Sequence, residues 1–151
     1  MNFIYELFIS DKISYEQVAE IVSNYTNIDY EKIGTMDECI NKFGTIEELT
    51  IAVDVYFYSR GYKTYVNINQ LGFRFKESQI IKLACELAIS LRRNIALADE
   101  VDCGEFNYII ISPDKKYQKA YRIVSNEDAI EFTTYSEKAD INEYIYRLDD
   151  E

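Results

Sequence analysis

The chain predicts an α+β fold, and three observations carry that prediction. Stretches that alternate apolar and polar residues with strand period are interspersed with stretches of helical period. Apolar residues make up 48% of the 151 positions and aromatics 15%, enough for a core and too many for a disordered chain. Glycine (5) and proline (1) are too scarce to write a flexible linker, and no repeat or low-complexity tract divides the sequence. One folded domain, residues 1–151, is expected.

The first element is a strand over residues 3–9, where Phe3, Tyr5, Leu7 and Ile9 alternate with Ile4, Glu6 and Phe8. Ser14 then opens a helix. Gln17, three positions on, completes a capping-box spacing that satisfies two orphan amides reciprocally. Tyr15, Val18, Ile21, Val22 and Tyr25 recur at helical intervals before Asn24, Thr26 and Asn27 end the run. Residues 28–47 are mixed and polar, with a short helix around Met36–Lys42 closed by Gly44.

Residues 48–69 read as a hairpin about Arg60-Gly61. Only one register keeps the two sets of side chains apart: Tyr58 opposite Lys63, Tyr56 opposite Tyr65 and Asp54 opposite Asn67. Val53, Val55 and Phe57 then share the other face with Ile68, Val66 and Thr64. A second helix is expected from a Ser78 cap to about Arg92. Ile80, Ala84, Leu87, Ala88 and Leu91 form one stripe, widened by Ile81, Cys85 and Ile89. Such a helix is buried on most sides and lies across a sheet.

Strands follow at Ile95–Ala98, 106–112 and 118–124, the last two joined by a type I-like turn at Pro113-Asp114-Lys115-Lys116. A further strand covers Ala129–Thr134, and Ile141, Tyr144, Ile145 and Leu148 mark a C-terminal helix. The order strand, helix, hairpin, helix, strand is the split βαβ arrangement of ferredoxin-like domains. The expectation is therefore an antiparallel sheet with two main helices, extended by extra C-terminal strands.

Charge narrows the function. The chain carries 27 acidic and 16 basic residues, net −11, and no histidine. Such a surface repels nucleic acid and anionic membrane and favours a basic protein. Without imidazole it lacks the usual general base near neutrality and the commonest metal ligand. No phosphate-binding glycine loop and no Gly-x-Ser-x-Gly elbow occurs. The expectation is binding without catalytic residues, metal or cofactor.

Residues 1–7 have no basic leader region, no segment reaches membrane-span length, and Cys39, Cys85 and Cys103 suit neither a disulfide framework nor a zinc site. These absences point to the cytoplasm.

Two clusters are candidates for partner binding. Asp99, Glu100, Asp102 and Glu105 lie between two strands, with Cys103-Gly104 among them. They read as a solvated loop, as an oxygen-rich cation loop lacking the EF-hand spacing, or as a loop that meets a basic partner. Asp54, Tyr56, Tyr58 and Tyr65 share one hairpin face. Tyrosine is enriched where proteins meet proteins, unless a helix or strand layer covers this face.

The stretch 87–123 carries a resemblance. An apolar helix leads to Asn94-Ile95-Ala96-Leu97-Ala98, an acidic loop over residues 99–105, then Tyr108-Ile109-Ile110-Ile111-Ser112-Pro113-Asp114 and a return strand. With its small acidic α+β character and its Ile, Tyr, Asn, Lys and Phe usage, typical of AT-rich bacterial genes, the chain resembles immunity proteins of contact-dependent growth inhibition and polymorphic toxin systems. The resemblance implies stoichiometric neutralisation of a cognate basic toxin, with a nuclease as a candidate activity. Acidic side chains would engage toxin Lys and Arg, and tyrosines would anchor the contact. A nucleic-acid mimic that inhibits DNA-binding proteins, and a self-associating adaptor domain, are the alternatives.

Overall fold

The computed structural model describes residues 4–149, so Phe3 of the expected first strand, the Met1-Asn2 start of the leader reading, and the acidic Asp150 and Glu151 lie outside the described residues. The element order is β1 (Ile4–Ile9), α1 (Tyr15–Thr26), β2 (Ile33–Gly34), α2 (Met36–Lys42), β3 (Ile51–Phe57), β4 (Arg60–Gly61) and β5 (Thr64–Gln70). Then come α3 (Glu77–Leu91), β6 (Ile95–Ala98), β7 (Asn107–Ile111), β8 (Lys116–Ser125), β9 (Ala129–Thr134), β10 (Ala139–Asp140) and α4 (Ile141–Asp149).

Local chemistry sets most of these boundaries. At α1 the Gln17 amide donates to Ser14 Oγ at 3.2 Å and the Ser14 amide donates to Gln17 Oε1 at 3.1 Å. Asn27, in the left-handed region at φ 59°, closes the helix. Thr35 and Glu38 repeat the capping box at α2. Helix α3 starts before the expected Ser78 cap: the Lys76 amide donates to Gln79 Oε1 at 2.7 Å, and Ser78 is buried inside the first turn. Between β7 and β8 the Lys115 amide bonds Ser112 O, and Lys115 takes φ 62°. That is a tight four-residue turn that ends on a left-handed residue. The β3–β5 register is the expected one, with Tyr56 opposite Tyr65, Asp54 opposite Asn67 and Val55 opposite Val66.

The sheet departs from expectation. Its strand order is β2-β3-β5-β1-β6-β7-β8-β9-β4, with β10 beside β8. β2 pairs β3 in parallel and β4 pairs β9 in parallel, while the other ladders are antiparallel. The α+β class holds, but among the described residues a two-helix, all-antiparallel ferredoxin-like sheet is replaced by ten strands in a mixed sheet with four α-helices. The added strands β2, β4 and β10 are two residues each, too short to show a period, and β4 is the hairpin turn itself.

That turn gives the sheet its shape. Phe8 on β1 and Phe132 on β9 are four strand spacings apart along the sheet, about 19 Å if it were flat at roughly 4.8 Å per spacing. Their rings lie 5.8 Å apart. The face that carries them is therefore strongly concave. Ala96 and Ala120, fully buried on that face, leave room for the curl. At the meeting edge the Ser59 and Arg60 amides donate to Asp128 O, and the Tyr62 amide donates to Ile130 O at 2.8 Å. The convex face packs Leu7, Ile9, Val53, Val66, Ile95 and Ile109 against α1, α3 and α4.

The seam requires glycine at position 61. Gly61 has φ 76°, and a Cβ there would sit 2.0 Å from Ile130 O. Gly61→Ala is expected to destabilise the protein by about 1–3 kcal/mol or more, from backbone strain plus lost seam bonds. Urea unfolding reads the loss, and accelerated amide exchange confined first to Tyr62 locates it; unchanged exchange there would refute the role of the seam.

Candidate functional site

The hairpin tyrosines belong to the concave face. Tyr65 sits at their centre: Phe8 lies 5.0 Å away, Tyr56 meets it edge-on at 5.7 Å, and Tyr58 stacks on it at 6.4 Å. Further along the curl, Phe132 packs on Tyr108 at 4.8 Å and on Tyr62 at 5.0 Å. Every member of this cluster comes from the sheet and its hairpin tip, none from a helix. Helix α2 occupies only the far end of β3, where Cys39 packs with Ala52 and the Met36 amide donates to Asp54 Oδ1 at 3.2 Å. Asp54 is thus half-buried and spent on α2, whereas Tyr56 remains 54% exposed.

Acidic groups rim these rings. The Tyr65 hydroxyl donates to Glu6 Oε1 at 2.6 Å and to Asn67 Oδ1 at 3.2 Å. Burial, followed by Glu6, pushes the Tyr65 phenol well above its ordinary range. Opposite, Arg122 donates to the Tyr108 hydroxyl at 3.1 Å and lies over the rings of Phe106 and Tyr108. Glu105 pairs with Arg122 at 3.9 Å, which brings that residue of the acidic loop to the aromatic face.

The other three loop acids go elsewhere. Asp99 is 3% exposed. Its Oδ1 accepts from the Val101 amide, the Asp102 amide and the Tyr144 hydroxyl at 3.0–3.1 Å, and Tyr144 itself accepts from the Glu100 amide at 2.8 Å. Lys119 lies 3.8 Å from Asp99 Oδ2 and pairs with Asp102. Asp99 is therefore an internal anchor that fastens the loop to α4, and Asp102 is held by Lys119. Glu100 is half-buried; burial, then Glu77 and Asp99, all push its carboxyl up. The expected group of four thus divides, with Glu105 on the aromatic face, Asp99 and Asp102 around Lys119, and Glu100 between.

Sequence reasoning did not find Glu6 or Arg122 as partners of the tyrosines, because β1 joins β5 only through a ladder between residues some sixty positions apart and β8 reaches the hairpin only through the curl. It also passed over Ile40, Phe43 and Ile46, which are 66%, 76% and 94% exposed. Their signal was three large apolar residues at spacing three within an otherwise polar stretch. Among the described residues no group of His, Cys, Asp or Glu is arranged to hold a metal, and no helix is long and apolar enough to cross a membrane.

Two stability measurements test these assignments. Asp99→Ala strands buried donors on Tyr144 and the loop backbone and should cost about 1.5–3 kcal/mol in urea unfolding; a change indistinguishable from a surface control such as Glu20→Ala would refute the anchor. Glu100 has the opposite sign. A carboxyl raised on folding favours the native state only when protonated, so its charge opposes the fold at pH values above its raised pKa. Glu100→Gln should raise Tm at pH 7, and the gain should vanish once pH falls below the ordinary glutamate range near ~4.3. Lower stability of Glu100→Gln at pH 7 is the contrary result.

Compared with known proteins, the chain matches no family model, no curated sequence and no solved structure.

Proposed function

We propose that the protein is an immunity protein that binds a basic toxin domain one-to-one in the cytoplasm and holds it inactive, without chemistry of its own. The observation that carries this reading is the concave aromatic face. It gathers Tyr58 and Tyr65 in a cluster to which, among the described residues, no helix contributes, with Tyr56 beside them, and Glu6 and Glu105 stand at its borders. Rigid aromatic rings ringed by charge are the composition of protein-binding hot spots. A net charge of −11 steers a basic partner inwards and raises its association rate. The same charge disfavours nucleic acid as the ligand of these rings.

Neutralisation on this reading is steric. Toxin side chains pack on Tyr56 and the outer edge of Tyr58, and toxin cations meet Glu6 and Glu105. Tyr65, hydrogen-bonded through its hydroxyl and held by Phe8, is the rigid base of the contact rather than its tip.

The test is co-expression with the product of the adjacent toxin gene, followed by tagged recovery at low and moderate salt. One basic protein recovered at equal stoichiometry, with its toxicity suppressed, is the expected result. Tyr56→Ala should weaken that complex by about 2 kcal/mol or more, roughly thirtyfold in Kd, with Glu20→Ala on α1 unchanged. Recovery of many DNA-binding proteins that wash off with salt would replace the proposal with nucleic-acid mimicry, and recovery of the chain alone with self-association.

A further inference from the structure

Ile40, Phe43 and Ile46 place three large apolar side chains in solvent within one short segment. Single exposed apolar residues are ordinary, but a group of them rimmed by charge marks a contact surface. Local bonds hold this group in place. The Thr35–Glu38 capping box starts α2, Phe43 caps its end, and Gly44 turns the chain at φ 76°. The Thr45 amide and hydroxyl then both donate to Lys42 O, at 3.1 and 2.6 Å, and the Glu48 amide donates to Thr45 O at 3.2 Å. Lys32 Nζ donates to Ile46 O at 3.2 Å, which ties down the most exposed of the three.

The surroundings of these residues fit one kind of partner. Phe43 lines a groove of about 450 Å³ with the half-buried Leu71 and the buried Cys39 and Leu49, and Glu48 lies in its wall. Residues 29–48 carry six acidic and two basic side chains. Asp37, Glu47 and Glu48 are exposed and form no ion pair among the described residues. An apolar surface with a negative border complements an apolar stripe flanked by lysine or arginine. β2, the edge strand at this end of the sheet, has two residues, so an extended segment finds little ladder to join. A helix satisfies its own backbone and presents apolar anchors along one stripe. α2 meets Ala52 and Asp54, which alternate onto the same face of β3 as Tyr56, so this surface adjoins the exposed tyrosine.

We propose that Ile40, Phe43 and Ile46 seat a cationic amphipathic helix of the protein partner, its apolar stripe on Phe43 and Leu71 and its lysine or arginine side chains at Asp37, Glu47 and Glu48. A second copy of this face is disfavoured, because it would bring the same negative borders together. Anionic lipid is repelled by the same charge. The proposal rests on the immunity reading in that the toxin would supply the helix. It adds to the tyrosines a second contact of aliphatic and phenyl groups.

The test uses a synthetic helix of about 14 residues with leucine in one stripe, a single tryptophan in that stripe and lysine elsewhere. The full chain has no tryptophan, so a blue shift of the probe reports its own burial. Saturable binding with methyl NMR shifts at Ile40 and Ile46 is expected. Phe43→Ser/Ile46→Ser should raise Kd roughly tenfold or more, and Asp37→Asn/Glu47→Gln/Glu48→Gln roughly fivefold or more at low salt. All five side chains are exposed, and a retained cooperative unfolding transition checks that both variants fold. Tyr146→Ser on α4, an equally exposed aromatic at 71%, should leave Kd unchanged. Equal binding of a peptide of the same composition with scattered leucines, shifts confined to sites away from α2, or undiminished binding by Phe43→Ser/Ile46→Ser would each overturn the proposal. A concentration-dependent dimer abolished by Phe43→Ser/Ile46→Ser would reassign the surface to a second copy. Adsorption to phosphatidylcholine vesicles abolished by the same change would reassign it to lipid. The peptide requires no toxin, so its failure to bind leaves the immunity reading to be judged by recovery of the 1:1 complex.

Discussion

Everything on the concave face depends on the hydrogen bonds that tie the hairpin tip to β9. A sheet of this many strands twists but does not by itself fold back on its own first hairpin. Here the Ser59, Arg60 and Tyr62 amides find their acceptors on Asp128 and Ile130, and the inner rings fill the enclosed space. The seam also covers the start of β9, which would otherwise be an open edge able to template aggregation. Phe8, Tyr65, Tyr108 and Phe132 act as a second, all-sheet core, and Tyr56 and Tyr58 are its outward margin.

The local grammar of the chain was readable. Capping boxes at Ser14–Gln17, the Met36–Lys42 helix, the hairpin register and the Ala129–Thr134 strand all follow from short-range rules. What escaped was set by distant partners. Arg60-Gly61 looks like an ordinary turn, and only the position of Ile130 makes it a strand. Asp99 looks like its neighbours in an acidic loop. Its burial follows from Tyr144, 45 residues later, and from Lys119 on a strand two away in the sheet. The tyrosine face was visible as a pattern, but the loss of Asp54, one of its four residues, to α2 was not.

The two candidate clusters turn out to be linked through one loop. Its first residue, Asp99, is consumed in holding the loop in place; its last acid, Glu105, reaches Arg122 and the rings. A single buried carboxylate therefore shapes the surface from within, and an acidic residue that reads as a recognition group serves as a positioning one.

The seam bonds join Ser59 and Asp128, 69 residues apart. Contacts of such separation close late, after the local hairpins and helices have formed, because the intervening loop entropy must be overcome first. A chain that has made its hairpin but not its seam holds Tyr56, Tyr58 and Tyr65 on a strand pair whose curvature is not yet imposed. The curved aromatic surface is thus a property of the finished molecule alone. A partner that bound that surface would by the same act discriminate against partly folded copies, since they do not present it.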